Sequence, residues 1–186
     1  MGSSVLENNL SDWKYLGHSV HCLRIIPETL QTKNMKTKGP AILLIHGFGA
    51  STQHWRHNLP VLGKHYEVHA LDLLGFGNSS KPDGLAYGGP LWKDQIVAYV
   101  QENIGRPTIL VGNSLGGYAA LASGAALGDQ AAGVVLLNAA GYFSEDKKTT
   151  KGFWATARKT VAGIFLKNVL LQRIIFENLR QPSTIK

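Results

Sequence analysis

The chain has 186 residues, of which 44% are hydrophobic and 17% charged, a balance that excludes wholesale disorder and suits one globular domain with some additional length. The net charge of +7 is concentrated in residues 143–186, which hold nine Lys or Arg and three Asp or Glu, so it does not mark the whole molecule as nucleic-acid-binding. The single cysteine, Cys22, excludes an internal disulfide and a cysteine-based metal cluster. No apolar run approaches the ~18 residues of a membrane span, and no signal-peptide pattern is present. We therefore expect a soluble protein of the cytoplasm, or of the chloroplast stroma in a plastid-bearing organism.

The first forty residues predict a short strand region between two polar segments. Residues 1–12 are polar and are expected to be flexible. Residues 13–26 have a strand-like pattern, with a strand pair that turns near Gly17. Residues 29–40 predict a polar loop rich in Lys, Thr and Asn.

Four apolar runs then predict the strands of a sheet, at residues 41–45, 68–72, 108–111 and 133–137. Runs that do not alternate with polar residues are typical of parallel strands covered on both faces. Each run ends in glycines or a polar residue, at the edge where α/β sheets place their chemistry.

Patterns of helical period lie between the runs, at residues 53–64, 91–103 and 115–127, and Pro60 interrupts the first of them. Strands that alternate with helices predict an α/β fold with a doubly wound, mostly parallel sheet. We expect this core to span residues 13–142.

Residues 143–186 have a different character. A basic linker at 147–151 precedes an apolar and basic helical pattern at 153–179, which predicts the start of a helical cap or lid. Three interpretations stay open: a cap helix with a solvated cationic face, a cap whose apolar face lines a pocket for a lipophilic acyl or alcohol group, or peripheral contact with an anionic membrane surface.

The segment Gly112-Asn113-Ser114-Leu115-Gly116 fits the pattern G-x-S-x-G between an apolar strand and a helix of small residues. In that setting the serine lies on a sharp, strained turn with its hydroxyl above the sheet. The flanking glycines are expected because a Cβ there would strike the neighbouring strand or helix. The amide of Leu115 begins the helix, so it points into the same space and can donate to an oxyanion.

A second oxyanion donor is expected from the turn after an earlier strand. His46-Gly47-Phe48-Gly49 follows the run at residues 41–45, and the amide of Phe48 is the candidate.

Three segments together resemble the successive signatures of the α/β-hydrolase superfamily: residues 46–49, 72–79 and 112–117. Their order and spacing match, and the resemblance covers residues 13–141. Within the superfamily they are most similar to hydrolases of cyanobacteria and chloroplasts, a group that includes pheophytinase-like enzymes.

The resemblance implies that Ser114 is the nucleophile and that the amides of Phe48 and Leu115 form the oxyanion hole. The residues implied to support them are His46, Gly47, Gly112, Asn113 and Gly116. The resemblance also implies hydrolysis of a carboxylic ester or related acyl bond of a lipophilic small molecule through an acyl-enzyme, without a metal or organic cofactor.

The sequence departs from the superfamily in one respect. A triad acid and histidine follow the serine in the superfamily. All histidines here precede Ser114: His18, His21, His46, His54, His57, His65 and His69. We therefore expect the front part of a longer hydrolase, inactive alone because a serine without a base is a weak nucleophile. The oligomeric state is not predicted.

At several positions a structural role is the alternative to a catalytic or metal-binding one. His46 is expected to bond local backbone rather than act as a base, and Asp72 to serve a turn or helix cap rather than the triad. His54 and His57 are expected at a helix surface or packing position, not around a metal, because no acidic or cysteine partner has suitable spacing. The alternative to an enzyme is a non-catalytic module that binds lipid or a partner protein. Nucleic acid is not an expected partner, because the basic residues lack interleaved stacking aromatics.

Overall fold

The computed structural model of the chain describes residues 13–27 and 39–140. The predicted flexible N-terminus, most of the polar loop at 29–40 and the predicted cap at 143–186 lie outside these ranges. None of the helices within the described ranges is long and apolar enough to cross a membrane.

Seven strands and three α-helices form the described part of the fold. The strands are β1 (Trp13–Tyr15), β2 (His18–Val20), β3 (Cys22–Ile25), β4 (Ala41–Ile45), β5 (Val68–Leu71), β6 (Thr108–Asn113) and β7 (Ala131–Leu137). The α-helices are α1 (Leu59–Leu62), α2 (Gly89–Tyr99) and α3 (Leu115–Leu127). Short 3₁₀ helices occupy Thr52–Trp55 and Gly128–Gln130, and one π turn occupies Val100–Ile104.

The central sheet has the order β3-β5-β4-β6-β7. The pairs β5–β4, β4–β6 and β6–β7 are parallel, and β3 is antiparallel to β5. β1 and β2 form a separate antiparallel hairpin, which confirms the predicted turn near Gly17. All five residues of β4 are buried, as expected of a central strand covered on both faces.

Helices cover the sheet on both sides, which confirms the predicted α/β architecture. On one side, Trp55 and Leu59 pack with Ile42, Leu44 and neighbouring buried residues of β3 and β5. On the other side, α3 packs against β4, β6 and β7, and α2 packs against α3. The carboxyl ends of β4, β5 and β6 therefore meet at one edge of the sheet, where their glycine-rich turns lie.

The helical segment predicted at residues 53–64 is interrupted, as Pro60 indicates, but the break lies before Pro60 rather than at it. The structure divides it into the 3₁₀ helix Thr52–Trp55 and the short helix α1, with Pro60 in the first turn of α1. Proline lacks an N–H and has a fixed φ, so it suits a helix start but interrupts a helix interior. The helix predicted at 91–103 begins two residues earlier, and it ends in the π turn before Gly105, which adopts φ +66°.

Candidate active site

Ser114 lies on the turn between β6 and α3 in the strained conformation that its motif predicts. Its φ is +53° and its ψ −116°, a region that residues with a side chain rarely adopt and that costs about 1–3 kcal/mol. Two hydrogen bonds to the segment at the end of β7 hold the turn. The Ser114 N–H donates to Leu137 O at 3.0 Å, and the Ala140 N–H donates to Ser114 O at 2.9 Å.

The two glycines of the motif allow backbone to approach backbone, as the sequence predicts. A Cβ on Gly112 would overlap the backbone of Gly116. A Cβ on Gly116 would overlap the carbonyl oxygens of Ile45 and His46, at the end of β4. The start of α3 is therefore packed directly against the β4 strand end.

The loop at residues 46–49 meets the Ser114 turn through Gly47. A Cβ placed on Gly47 would lie 3.2 Å from Ser114 Cβ and also 3.2 Å from the backbone oxygen and from Oδ1 of Asn113. The two motifs that the sequence assigns to one site are thus in contact, and Asn113 borders this contact with both its backbone and its side chain.

The two candidate oxyanion donors flank this contact. Leu115 is the first residue of α3, so its N–H precedes the first intrahelical hydrogen bond and lies at the positive end of a helix of 13 residues. Phe48 directly follows Gly47. Phe48 is 39% exposed as a residue, and its ring packs edge-on against Phe76, with centroids 5.4 Å apart.

His46 is fully buried, and both of its ring nitrogens are engaged. Nδ1 lies 2.7 Å from Gly47 O, and Nε2 accepts the Leu73 N–H at 3.0 Å, so the bonding pattern assigns the proton to Nδ1. Burial lowers the pKa of His46, and the Gly47 carbonyl and the Asp72 carboxylate only partly oppose this effect. Neither ring nitrogen is therefore left to bond Ser114, and the expected hydrogen bond to local backbone is present at Nδ1.

Asp72 is also buried, and its carboxylate joins two loops. Oδ1 accepts the Thr52 N–H at 2.6 Å, at the start of the 3₁₀ helix Thr52–Trp55, and Oδ2 accepts the Asn78 N–H at 2.7 Å. The predicted turn and capping role is therefore confirmed. Gly77 is required beside it, because a Cβ there would overlap the carboxylate, and Gly77 adopts φ +51°.

Sequence reasoning missed Gln95, which supports the same loop from α2. Its Oε1 accepts the Leu74 N–H at 3.0 Å and its Nε2 donates to Asp72 O at 3.4 Å. Trp92, one turn earlier, donates from Nε1 to Leu74 O at 3.0 Å. In the sequence, a single glutamine on a helix that bonds to a loop cannot be distinguished from one that is exposed to solvent.

Within residues 13–27 and 39–140, Ser114 Oγ makes no hydrogen bond, although all the histidines of the chain lie in these ranges. His69, like His46, has both ring nitrogens bonded elsewhere, to Glu67 and Tyr99. His54 and His57 are exposed. The same ranges contain no cluster of three His, Cys, Asp or Glu residues that could hold a metal ion.

Comparison with known proteins places the chain in a family. Residues 42–180 match the profile of the alpha/beta hydrolase family. The chloroplastic pheophytinase of Arabidopsis thaliana is 33% identical over 91% of this chain, which corresponds to 42% of that protein. The 2-hydroxy-6-oxo-6-(2'-aminophenyl)hexa-2,4-dienoic acid hydrolase of Metapseudomonas resinovorans is 34% identical over 58% of this chain and 38% of its own length.

Solved structures agree with this assignment. A bacterial membrane phospholipase A superposes with a TM-score of 0.62 at 30% identity, over 72% of this chain and 40% of that one. A meta-cleavage product hydrolase from Pseudomonas fluorescens superposes with a TM-score of 0.58 at 27% identity, over 69% of this chain and 44% of that one. The chain spans less than half the length of each of these relatives. With a family profile matched over most of its residues and a mostly parallel sheet covered by helices, the chain belongs to the alpha/beta hydrolase family.

Proposed function

We propose that the chain supplies the nucleophile and the oxyanion hole of a serine hydrolase that cleaves a carboxylic ester or related acyl bond. The observation that supports this most strongly is the contact between Gly47 and the strained Ser114 turn. That contact brings a serine together with two backbone segments from different strand ends. Backbone strain at this half-buried serine has no evident packing benefit, so a functional reason for it is favoured.

In the proposed reaction, Ser114 Oγ attacks the carbonyl carbon of the substrate. The N–H groups of Phe48 and Leu115 then donate to the oxygen that becomes negatively charged. The alcohol leaves, an ester between Ser114 and the acyl group remains, and water hydrolyses that ester. One such donor contributes about 10²–10³-fold to the rate of acyl transfer.

The base that removes the Ser114 proton is proposed to come from polypeptide outside this sequence. None of the chain's own histidines bonds to Ser114 Oγ, and the chain covers 42% of the Arabidopsis relative. A histidine oriented by an acid would also protonate the leaving alcohol. The chain by itself is therefore expected to turn over esters very slowly.

The proposed substrate is a lipophilic small molecule. The exposed ring of Phe48 offers an apolar surface next to the Ser114 turn. The relatives include a pheophytinase, a hydrolase of an aminophenyl-substituted dienoic acid and a phospholipase, whose names point to apolar substrates or lipids. The proposed compartment is the cytoplasm or, in a plastid-bearing organism, the chloroplast, as for the Arabidopsis relative.

Labelling with a fluorophosphonate tests the nucleophile directly. The full-length protein should be labelled, and Ser114→Ala should abolish the label. Ser123→Ala is the matched control on the same helix, because Ser123 is buried and its Oγ donates to Lys93 O at 3.2 Å. Equal labelling of wild-type protein and Ser114→Ala would refute the proposal, and so would rapid ester hydrolysis that survives Ser114→Ala.

A second candidate function is a non-catalytic module that binds lipid or a partner protein, including peripheral membrane contact through residues 143–186. Two observations favour it: no residue of the described ranges bonds to Ser114 Oγ, and residues 143–186 hold an excess of six positive charges. Co-sedimentation with anionic phosphatidylserine vesicles discriminates the two. A binding module would associate in a salt-sensitive way that Ser114→Ala leaves unchanged.

A further inference from the structure

The segment after β7 bonds to both backbone groups of Ser114. The Ser114 N–H donates to Leu137 O at 3.0 Å, and the Ser114 carbonyl accepts the Ala140 N–H at 2.9 Å. The N–H lies in the peptide plane before Ser114 and the carbonyl lies in the plane after it. Because both planes are held, rotation about φ or ψ of Ser114 would break at least one of the two hydrogen bonds. Residues 137–140 therefore stabilise the unusual backbone conformation of this residue.

The spacing of these two partners departs from that of a regular sheet. Leu137 pairs in register with Asn113, the last residue of β6. In a regular parallel pair, the N–H and the carbonyl of one residue bond to partners that are two positions apart in the neighbouring strand. The partners of Ser114 are three positions apart, so the β7 side contains one additional residue, as in a β-bulge.

Asn138 accommodates the additional residue. It adopts φ +47°, so the chain leaves the extended path of β7 at this position. In the part of the chain that the structure describes, positive φ outside glycine occurs only at Leu16, Ser114 and Asn138. One class of bulge has a residue in this left-handed conformation, which asparagine adopts more readily than most residues with a side chain.

The backbone of Asn138, rather than its side chain, carries this arrangement. The residue is exposed, so the fold gains little packing from its side chain. The next residue, Ala139, instead packs against the start of α3, where a Cβ on Gly117 would lie 2.7 Å from Ala139 Cβ. The left-handed backbone of Asn138 is therefore the property on which the path of the segment depends.

We infer that Asn138 is a positioning residue, whose left-handed conformation lets residues 137–140 hold Ser114 in its strained conformation. The peptide plane after Ser114 also carries the Leu115 N–H, which points away from the Ser114 carbonyl because the peptide is trans. The bond from Ala140 to that carbonyl therefore orients the proposed oxyanion donor Leu115 as well. The inference rests on the proposed function, because it concerns the same nucleophile.

Two substitutions separate the backbone of Asn138 from its side chain. Asn138→Gly removes the side chain and keeps the left-handed conformation without strain, whereas Asn138→Val places a β-branched side chain where φ is positive. Leu16→Val is the matched control, because Leu16 has φ +51° and is 60% exposed, in the turn between β1 and β2. The measurement is the second-order rate of fluorophosphonate labelling of Ser114 in the full-length protein, corrected for the folded fraction.

We expect Asn138→Gly to label within about three-fold of wild type and Leu16→Val to label at the wild-type rate. Asn138→Val should label about ten-fold more slowly, the effect on a two-state equilibrium of forcing a side chain into the left-handed conformation. A loss in Asn138→Gly as large as that in Asn138→Val would assign the role to the side chain and overturn the inference. A wild-type rate in Asn138→Val, or an equal loss in Leu16→Val, would also overturn it.

A second readout keeps the inference testable if wild-type Ser114 is not labelled, a result that would refute the proposed function alone. The NMR scalar coupling across the hydrogen bond from the Ala140 N–H to the Ser114 carbonyl reports this bond without any reaction. It should be present in wild type and in Asn138→Gly, and it should be lost in Asn138→Val. A coupling retained in Asn138→Val would overturn the inference.

Discussion

Replacing Glu67 by glutamine should destabilise the fold far from Ser114, at the opposite end of β5. The Glu67 carboxylate is buried between three donors: Arg24 Nη2 at 2.7 Å, Arg106 Nη2 at 2.6 Å and His69 Nε2 at 3.0 Å. His69 Nδ1 in turn bonds to the hydroxyl of Tyr99 at 3.0 Å, and burial raises the pKa of Tyr99. One carboxylate thereby links β3, β5 and the segment before β6.

The expected cost follows from the pKa of this group. The hydrogen bond from His69, followed by the charge of Arg24, outweighs burial and lowers the pKa of Glu67 from 4.5 to about 2. A difference of about 2.5 in pKa corresponds to about 3 kcal/mol at neutral pH. Since Arg24 is 41% exposed, solvent screening reduces the expected cost of Glu67→Gln to about 2 kcal/mol.

The pH dependence of the stability difference between wild type and Glu67→Gln provides the more specific test. A carboxyl whose pKa is lower in the folded state stabilises the protein fully above pH 4.5 and progressively less as the pH falls towards 2. The difference in unfolding free energy between wild type and Glu67→Gln should therefore shrink over this range. Burial also lowers the pKa of His69, so both proteins should lose stability as the pH falls below about 6.5.

Urea unfolding monitored by circular dichroism at pH 7, 5, 4 and 3 measures this difference. Asp94→Asn is the control, because Asp94 is 55% exposed in its ion pair with Lys93 and should contribute less than about 0.5 kcal/mol. A cost of Glu67→Gln that is the same at pH 3 and pH 7, or no larger than that of the control, would refute the reasoning.

Three further predictions concern the turns around Ser114. Ser114→Gly should be more stable than Ser114→Ala by about 1–2 kcal/mol in urea unfolding, because glycine adopts φ +53° without strain. Gly116→Ala should lower the free energy of unfolding by about 2–3 kcal/mol, because rigid backbone carbonyls occupy the space of the new methyl group. Gly133→Ala is the control: a Cβ there has nothing within 4 Å, so stability should change by less than about 0.5 kcal/mol. Asp72→Asn should cost about 1–3 kcal/mol, because its amide replaces an acceptor of the Thr52 or Asn78 N–H with a donor.

Each of these has a clear contrary result. Equal stability of Ser114→Gly and Ser114→Ala would mean that the turn carries no strain. A Gly116→Ala variant as stable as Gly133→Ala would mean that α3 and β4 are not in close contact. An unchanged unfolding midpoint in Asp72→Asn would mean that the carboxylate does not hold the two loops together.

Much of the central sheet could be predicted from the sequence, because its strands are buried on both faces. The sequence predicts β4 with its observed bounds, because a short continuous apolar run such as Ala41–Ile45 is typical of a strand that is covered on both faces. The helix at Leu115–Leu127 was also predicted with its observed bounds. The exact break in the segment at 53–64 was not, because the 3₁₀ helix is capped both by the adjacent Ser51 and by Asp72, twenty residues away from Thr52 in the chain.

The candidate site shows the same division between local and distant information. The contact of Gly47 with Ser114 could be predicted, because both turns follow parallel strands and such strand ends share one edge of the sheet. The roles of Gln95 and Phe76 could not, because nothing in the local sequence reveals which loop a helical glutamine or a turn phenylalanine will contact. The catalytic roles of Ser114, Phe48 and Leu115 stay predictions.

The Ser114 turn is bonded to the least covered strand of the described sheet. Its N–H and C=O pair with Leu137 and Ala140, while Val135, Leu136 and Leu137 are each 38–45% exposed. Backbone hydrogen bonds of an exposed strand such as β7 open more readily than those of the buried strand β4. Hydrogen exchange at the Ser114 amide should therefore be governed by local fraying of β7 rather than by global unfolding. Whatever covers β7 in solution would therefore also determine how long Ser114 keeps its strained backbone conformation.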